Sequence, residues 1–302
     1  MEKCSSDSST LKGIVAILAS AFGFAVMAAC VRLCDDYGAS VSAFEKSFFR
    51  NAMALVIAAC VFARKLRRDG RGSFAAGFSG GNLRLVMLRS LLGTIGIFAN
   101  FYALSHIPIA DAQTLNKTAP FFTLLFAWMF LGERAGGRQL AAVAIAFAGA
   151  VLVAKPGFSG AQALPLAMGV LGGVCAGGAY AAVRALGRRR VEPSLIVLVF
   201  SAFSCLAAVP FVAADFTPLS MGQLLSLLGA GLGAALGQFG ITLAYRFAPP
   251  RKIAVYDYTN IAFTALLGFL LFDQVPDAFS VAGILIIVSA AMLLRVGGKT
   301  ER

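Results

Sequence analysis

The sequence predicts an all-α integral membrane protein, with ten transmembrane helices arranged as two inverted-topology five-helix repeats. Three observations predict it. First, the 302 residues are 59% hydrophobic and only 13% charged, with a mean hydropathy of +0.82. Soluble chains run at about 45–50% apolar and about 25% charged, so this chain lacks the charges for a hydrated shell. Second, apolar stretches of about 20 residues, enough to cross about 30 Å of hydrocarbon, recur between short polar breaks. Third, the second half of the chain repeats the first.

The spans fall at residues 12–31, 41–63, 84–104, 110–131, 139–154, 164–186, 194–213, 221–245, 252–272 and 277–295. Residues 1–10 are polar and lack a basic segment followed by a small-residue cleavage site. The first apolar run is therefore expected to stay as a helix rather than serve as a secretory signal. Lys and Arg set the orientation. With both termini cytoplasmic, 20 of the 26 basic residues lie on the cytoplasmic side, and only Arg32 and Lys155 lie outside. The other four, Lys46, Arg50, Arg89 and Lys117, fall within spans. That bias follows the positive-inside rule and predicts a multi-pass protein of the cytoplasmic membrane. The formal charge of +12 then reports topology, and no nucleic-acid partner is expected. The six cysteines are scattered without metal spacing and are expected to pack as small hydrophobes.

Displacing the chain by 140 residues lays 110–153 over 250–293 without a gap. Phe130-Leu131-Gly132-Glu133 falls on Leu270-Leu271-Phe272-Asp273, and both copies read as a span, an acidic end, a short break and a final span. Each half, 1–155 and 156–302, then holds five spans. An odd number makes the second half enter from the opposite side, so the repeats are inverted. Inverted repeats around a midplane site mark secondary transporters that alternate access.

The run from Ala103-Leu104-Ser105-His106-Ile107-Pro108 through Asn116-Lys117-Thr118-Ala119-Pro120 to Leu131-Gly132-Glu133-Arg134 resembles the EamA domain, the repeat unit of the drug/metabolite transporter superfamily. Tyr256-Asp257-Tyr258-Thr259-Asn260 through Phe272-Asp273 resembles the C-terminal copy. Asp273 departs from the glutamate usual there. The resemblance implies ten helices, with spans one, three, four, six, eight and nine around a central cavity. It also implies a small-molecule substrate, and it leaves that substrate's identity and direction open.

Ionisable groups inside spans are costly and therefore candidates for function. The 140-residue register superimposes Lys117 on Asp257, a cation in the outer half and an anion in the inner half. They are expected to bracket the cavity, with Asp257 also able to exchange a proton. Gln113, Thr114 and Asn116 cluster beside Lys117, while Tyr256, Tyr258, Thr259 and Asn260 cluster beside Asp257. Pro120 is expected to kink its helix. Carrying the family's cavity over residue by residue, Lys117, Asn116, Asp257, Tyr256, Asn260, Gln238 and Asn100 are the expected substrate-binding set. Asp257, Glu45 and Arg50 are the expected coupling or gating set. Arg50, after Phe48-Phe49, resembles an arginine common in the family's second helix. Lys46 and Arg50, four residues apart, repel and call for a partner such as Glu45. Arg89 is expected to snorkel to the cytoplasmic interface. Gly169, Gly173 and Gly177, and likewise Gly229, Gly233 and Gly237, are expected to form packing seams.

The expected function is secondary active transport of a small metabolite, an amino acid or related zwitterion, by alternating access, with proton coupling an option. The alternatives are an uptake carrier or facilitator for a cofactor-like metabolite or cationic drug, such as S-adenosylmethionine or a flavin, and a non-transport membrane protein such as a scramblase. An enzyme is not expected: there is one histidine, no HExxH and no cofactor motif. The chain carries no P-loop, which argues against an ATP-driven pump, and Gly229–Ala234 fits G-x-G-x-x-A only in mid-span, out of context for a nucleotide. The lipid bilayer and the substrate are the expected partners. Two halves in one chain suit a monomer, with a dimer as the alternative.

Overall fold

The computed structural model describes residues 2–38, 41–69, 79–107, 109–155, 157, 163–273 and 275–297. Pro108, Arg71, Lys299, Arg302 and the expected repeat junction at 156 lie outside the described residues. The described chain is helical: α1 (Glu2–Asp36), α2 (Ala43–Asp69), α3 (Gly80–His106), α4 (Ile109–Asn116), α5 (Ala119–Leu131), α6 (Gly137–Ala154), α7 (Ala163–Arg188), α8 (Pro193–Ala214), α9 (Met221–Phe247), α10 (Pro250–Ile253), a 3-10 turn (Ala254–Tyr258), α11 (Thr259–Phe272) and α12 (Ala278–Gly297).

Ten spans were expected, and among the described residues eight helical segments are long and apolar enough to cross a membrane. The difference has two sources. The expected span 110–131 is divided into α4 and α5, and neither piece alone reaches spanning length. α12 is 20 residues long, but its described side chains end at Leu293, so only Ala278–Leu293 counts. The second interrupted span, 250–272, passes as one segment because its break stays helical through the 3-10 turn.

The outer face of the bundle is apolar. Phe130, Leu206 and Leu270 are 76%, 73% and 63% exposed. A surface of this kind is a liability in water and suits hydrocarbon, where a helix satisfies its own backbone. Inside, the packing depends on small residues. The main helix pairs are α1 with α9, α3 with α7, α6 with α12, and α2 with α8. Where α1 crosses α9, a Cβ on Gly23 would stand 2.7 Å from Gly237 N, and one on Gly233 would stand 2.7 Å from Gly23 O. Only hydrogen fits there. The same approach lets Ser20 donate to Gly237 O across the pair at 2.7 Å. Gly169 and Gly177 press in the same way on Leu115 and Phe122 of the divided span. Both glycine seams seen in the sequence thus pack helix on helix.

Loops gather at two ends. At one, Lys46 pairs with Asp35 at 2.5 Å, Ser220 donates to Tyr37 O at 3.0 Å, and Arg32 lies over the Phe272 ring. At the other, Glu133 pairs with Arg184 at 2.8 Å and Lys65 with Glu192 at 2.6 Å.

A side chain at Gly233 meets backbone, which cannot step aside, so Gly233→Val is expected to destabilise by about 1–3 kcal/mol through overpacking. Gly137→Ala is the control: nothing lies within 4 Å of its added Cβ, so it is expected to be neutral or mildly stabilising. Thermal unfolding in detergent of the two variants against wild type checks both.

Candidate functional site

The site is built from two interrupted spans. In the first, Pro120 has no N–H, so the carbonyl four residues back loses its helical donor. The chain turns at Lys117–Thr118, where Thr118 N bonds Leu115 O at 3.1 Å and Thr118 Oγ1 donates to the same carbonyl at 2.6 Å. Phe121 N, the helical donor for the Lys117 carbonyl, turns to Thr118 O at 3.0 Å, and the Lys117 carbonyl accepts from the Tyr258 hydroxyl at 2.9 Å instead. In the second, α10 gives way to the 3-10 turn Ala254–Tyr258, and Thr259 Oγ1 donates to Tyr256 O at 2.6 Å. The two breaks are closed by the same device, a threonine hydroxyl on the carbonyl three residues back. That device sets Thr118 against Thr259, one residue off the 140-residue register.

The breaks meet. Lys117 Nζ donates to Asn260 Oδ1 at 3.0 Å, and Asn260 Nδ2 donates to Ala21 O on α1 at 2.9 Å. One asparagine thus joins both interrupted spans and α1. Above this junction lies a cavity of about 670 Å³, lined by Gln113, Thr114, Lys117, Asn260, Thr264, Lys155 and Asp277 among others. Its volume falls within the range of about 300–1,000 Å³ common for small-molecule sites. At its rim Lys155, closing α6 in left-handed conformation, pairs with Asp277, which also caps Ser280 N at 2.9 Å. The hydrogen bond from Lys155 is the main cause that pulls the Asp277 carboxyl from 3.8 down to about 2.

Below the junction several polar side chains are buried. Asp257 and Tyr256 are buried at 9% and 6% exposure, and Asp257 is an electrostatic neighbour of Tyr180, Tyr245 and Tyr258. Gln238, buried on α9, accepts from Arg89 Nη2 at 2.8 Å. Asn100 sits on α3 against Gly172, with Oδ1 buried and unpartnered. Asn116 is half-buried at the end of α4.

The expected residues therefore divide. Lys117 and Asn260 share the cavity; Asp257 and Tyr256 lie behind it; Gln238 belongs to a separate arginine cluster. Glu45 does not neutralise Arg50. Its carboxylate accepts from Ser42 N at 3.2 Å, closing a capping box at the start of α2, and from Thr217 N at 2.9 Å in the loop before α9. Lys46 takes Asp35 instead. Arg89 departs from the expected snorkelling: it is 2% exposed and lies 3.6 Å over the Phe200 ring. A hydrogen bond and an aromatic face hold it inside, which helix depth alone does not reveal. Tyr180 and the Lys155–Asp277 pair were also missed. The signal for Arg89 was Gln238, a mid-span amide that needs a partner.

Tyr258→Phe is expected to cost about 0.5–1.5 kcal/mol by leaving the Lys117 carbonyl unpaired, read as a lower unfolding midpoint with the helical circular dichroism unchanged. The rim pair makes a pH prediction. A carboxyl held below its ordinary value contributes stability that is fully present above that value and fades as pH falls through the lowered one. The midpoint difference between wild type and Lys155→Ala is thus expected to be constant above pH 3.8 and to shrink as pH falls toward about 2.

Comparison with known proteins agrees with the resemblance. The description "EamA-like transporter family" matches residues 11–155 and again 164–296. The chain is 33% identical over 282 residues to the pseudopaline exporter CntI of Pseudomonas aeruginosa strain UCBPP-PA14, covering 93% of this chain and 94% of that one. It is 32% identical over 215 residues to a riboflavin transporter of Rhizobium johnstonii, covering 69% and 68%. An S-adenosylmethionine uptake transporter of Rickettsia bellii is 25% identical over 211 residues, covering 69% and 71%. A solved crystal structure superposes with a TM-score of 0.76 at 19% identity over 96% of this chain and 98% of that one, a likeness of fold alone. Helices suited to hydrocarbon, two interrupted helices meeting at a cavity, and two successive family matches lead to one conclusion: the chain belongs to the EamA-like transporter family.

Proposed function

We propose that this membrane transporter is a secondary carrier that moves a small amino-acid-like metabolite across the cytoplasmic membrane by alternating access. The observation that carries the reading is the junction of the two interrupted spans, Lys117 on Asn260 and Tyr258 on the Lys117 carbonyl, at the floor of the cavity. Interrupted helices at membrane depth are tolerated only against protein or a wet cavity, and they form the sites of many carriers.

The proposal includes ten crossings in two inverted repeats, 1–155 and 156–302. Reciprocal packing supports it: α1 on α9 has its counterpart in α7 on α3, and α5 on α7 has its counterpart in α11 on α1. The last spans of each half, α6 and α12, pair with one another, as do the second spans, α2 and α8. Such matching is what a twofold relation between halves produces. Both termini are proposed cytoplasmic because Arg134, Arg184, Arg188, Arg246 and Arg251 gather at one end. A single chain holds both halves, so the transport unit is proposed as a monomer.

Lys117 meets the substrate's acidic group in the outward layer, and Asp257 meets its amine, or a coupling proton, in the inward layer. Export is the proposed direction, supported by the likeness to the pseudopaline exporter over 93% of this chain. Uptake of a cofactor-like metabolite is the second reading, favoured by the likeness to the riboflavin and S-adenosylmethionine transporters.

The test begins with thermal shifts of detergent-purified protein against amino acids, S-adenosylmethionine, flavins and choline-like cations at two pH values. A ligand at 100 times its Kd stabilises by about 2.7 kcal/mol. Flux of the ligands found is then followed in proteoliposomes, where Lys117→Ala and Asp257→Asn are expected to slow transport about tenfold or more, the loss of one charge-assisted contact. Undiminished flux in both variants would mean that the site has been misplaced.

A further inference from the structure

We infer that the interior between α2, α3, α8 and α9 is a second binding layer built for a carboxylate, so that the transported metabolite is a net anion. The inference rests on the carrier reading and names the substrate class for the same path. Its basis is a pair of guanidinium groups with donors left over. Arg89 on α3 spends Nη2 on Gln238 and lies flat over Phe200, and its Nε is buried with no partner. On α2, Nη1 of Arg50 meets only the Met27 thioether at 3.6 Å, a weak acceptor, and Nε is buried with no partner. Ser201, next to Phe200 on α8, has a buried hydroxyl that is also unpartnered.

Arginine is a donor only, so what these groups lack is an acceptor. Arg50 and Arg89 are electrostatic neighbours of each other and of Tyr180, so two like charges lie close together, Arg89 buried and Arg50 half-buried. The acids at that end of α2 are committed elsewhere: Glu45 to its cap and to Thr217, and Asp35 to Lys46. Asp257 stands beyond Tyr180, one anion against Arg50, Arg89 and Lys117. A carboxylate supplies both the missing charge and a two-oxygen acceptor that matches the guanidinium fork. The same field repels a cationic substrate.

The arginine layer connects to the cavity. Lys117 at the cavity floor holds the Tyr258 hydroxyl through its carbonyl; Tyr258 and Tyr180 both neighbour Asp257, and Tyr180 neighbours both arginines. An acid entering the cavity meets Lys117 first and the arginine pair once the halves have rocked.

The test compares acids with their amide isosteres on purified wild-type protein: glutamate against glutamine, and succinate against succinamide, with choline as the cation. Binding is read by thermal shift and transport by flux in proteoliposomes. The expected result is that the acids bind about tenfold or more tighter than the amides, the loss of one charge-assisted contact, and that choline does not compete. Arg50→Gln and Arg89→Gln are expected to erase that preference, and Arg50→Lys to restore it in part. Because the acid–amide comparison is made on wild type, it stands even if a variant fails to fold. Amides that bind or move as well as the acids, or a preference that survives both glutamine variants, overturn the inference while leaving the carrier reading intact. Vesicles through which no member of the panel passes count against the carrier reading itself.

Discussion

Everything at the centre of this protein depends on one constraint: a peptide group in hydrocarbon must find its hydrogen bond within the protein. At the break beside Pro120, Phe121 N turns to Thr118 O, which leaves the Lys117 carbonyl without its helical donor. The phenol of Tyr258, on the other interrupted span, answers it. The cavity floor, the Lys117–Asn260 bond and the joining of α1 through Ala21 follow from bringing those two breaks together. A straight helix in place of either break would need no partner and would leave no polar floor.

Charge is handled by the same economy. Ions at the ends of the bundle are paired, half-buried as with Glu133 and Arg184 or exposed as with Lys155 and Asp277. Ions in the interior are held by softer means: an aromatic face and an amide for Arg89, a thioether for Arg50. Such holds are weaker than full ion pairs and leave room for another partner. Interior and ends therefore differ in kind: the ends fasten loops, and the interior keeps unspent donors.

The family and the apolar helices were legible in composition, in span length and in the run around Asn116-Lys117-Thr118, because these are local signals of length and pattern. The glycine seams were legible for the same reason, since a four-residue spacing on a helix is a face. Lys117 and Asn260 were both found by asking which polar groups lie deep in spans. What the sequence could not show was who meets whom. Glu45 looked like a partner for Arg50 and instead caps its own helix against Thr217, a contact 172 positions away. Arg89 looked close enough to an interface to reach it, yet Phe200 and Gln238 on other helices hold it in. The threonine bonds at the two breaks, from Thr118 and Thr259, stand 141 residues apart, a detail that pattern matching on charges does not reveal.

The pairing of α1 with α9 has a consequence for how the molecule is made. Gly23 needs the bare backbone of Gly233 and Gly237 against it, and Ser20 needs the Gly237 carbonyl. On the ribosome α1 emerges first, and α2 through α8 follow before that surface exists. Its small-residue face must wait in the bilayer, covered by lipid, while the chain between is synthesised. Association of α1 with α9 is therefore a late, long-range event, and the pairing of α6 with α12 comes later still.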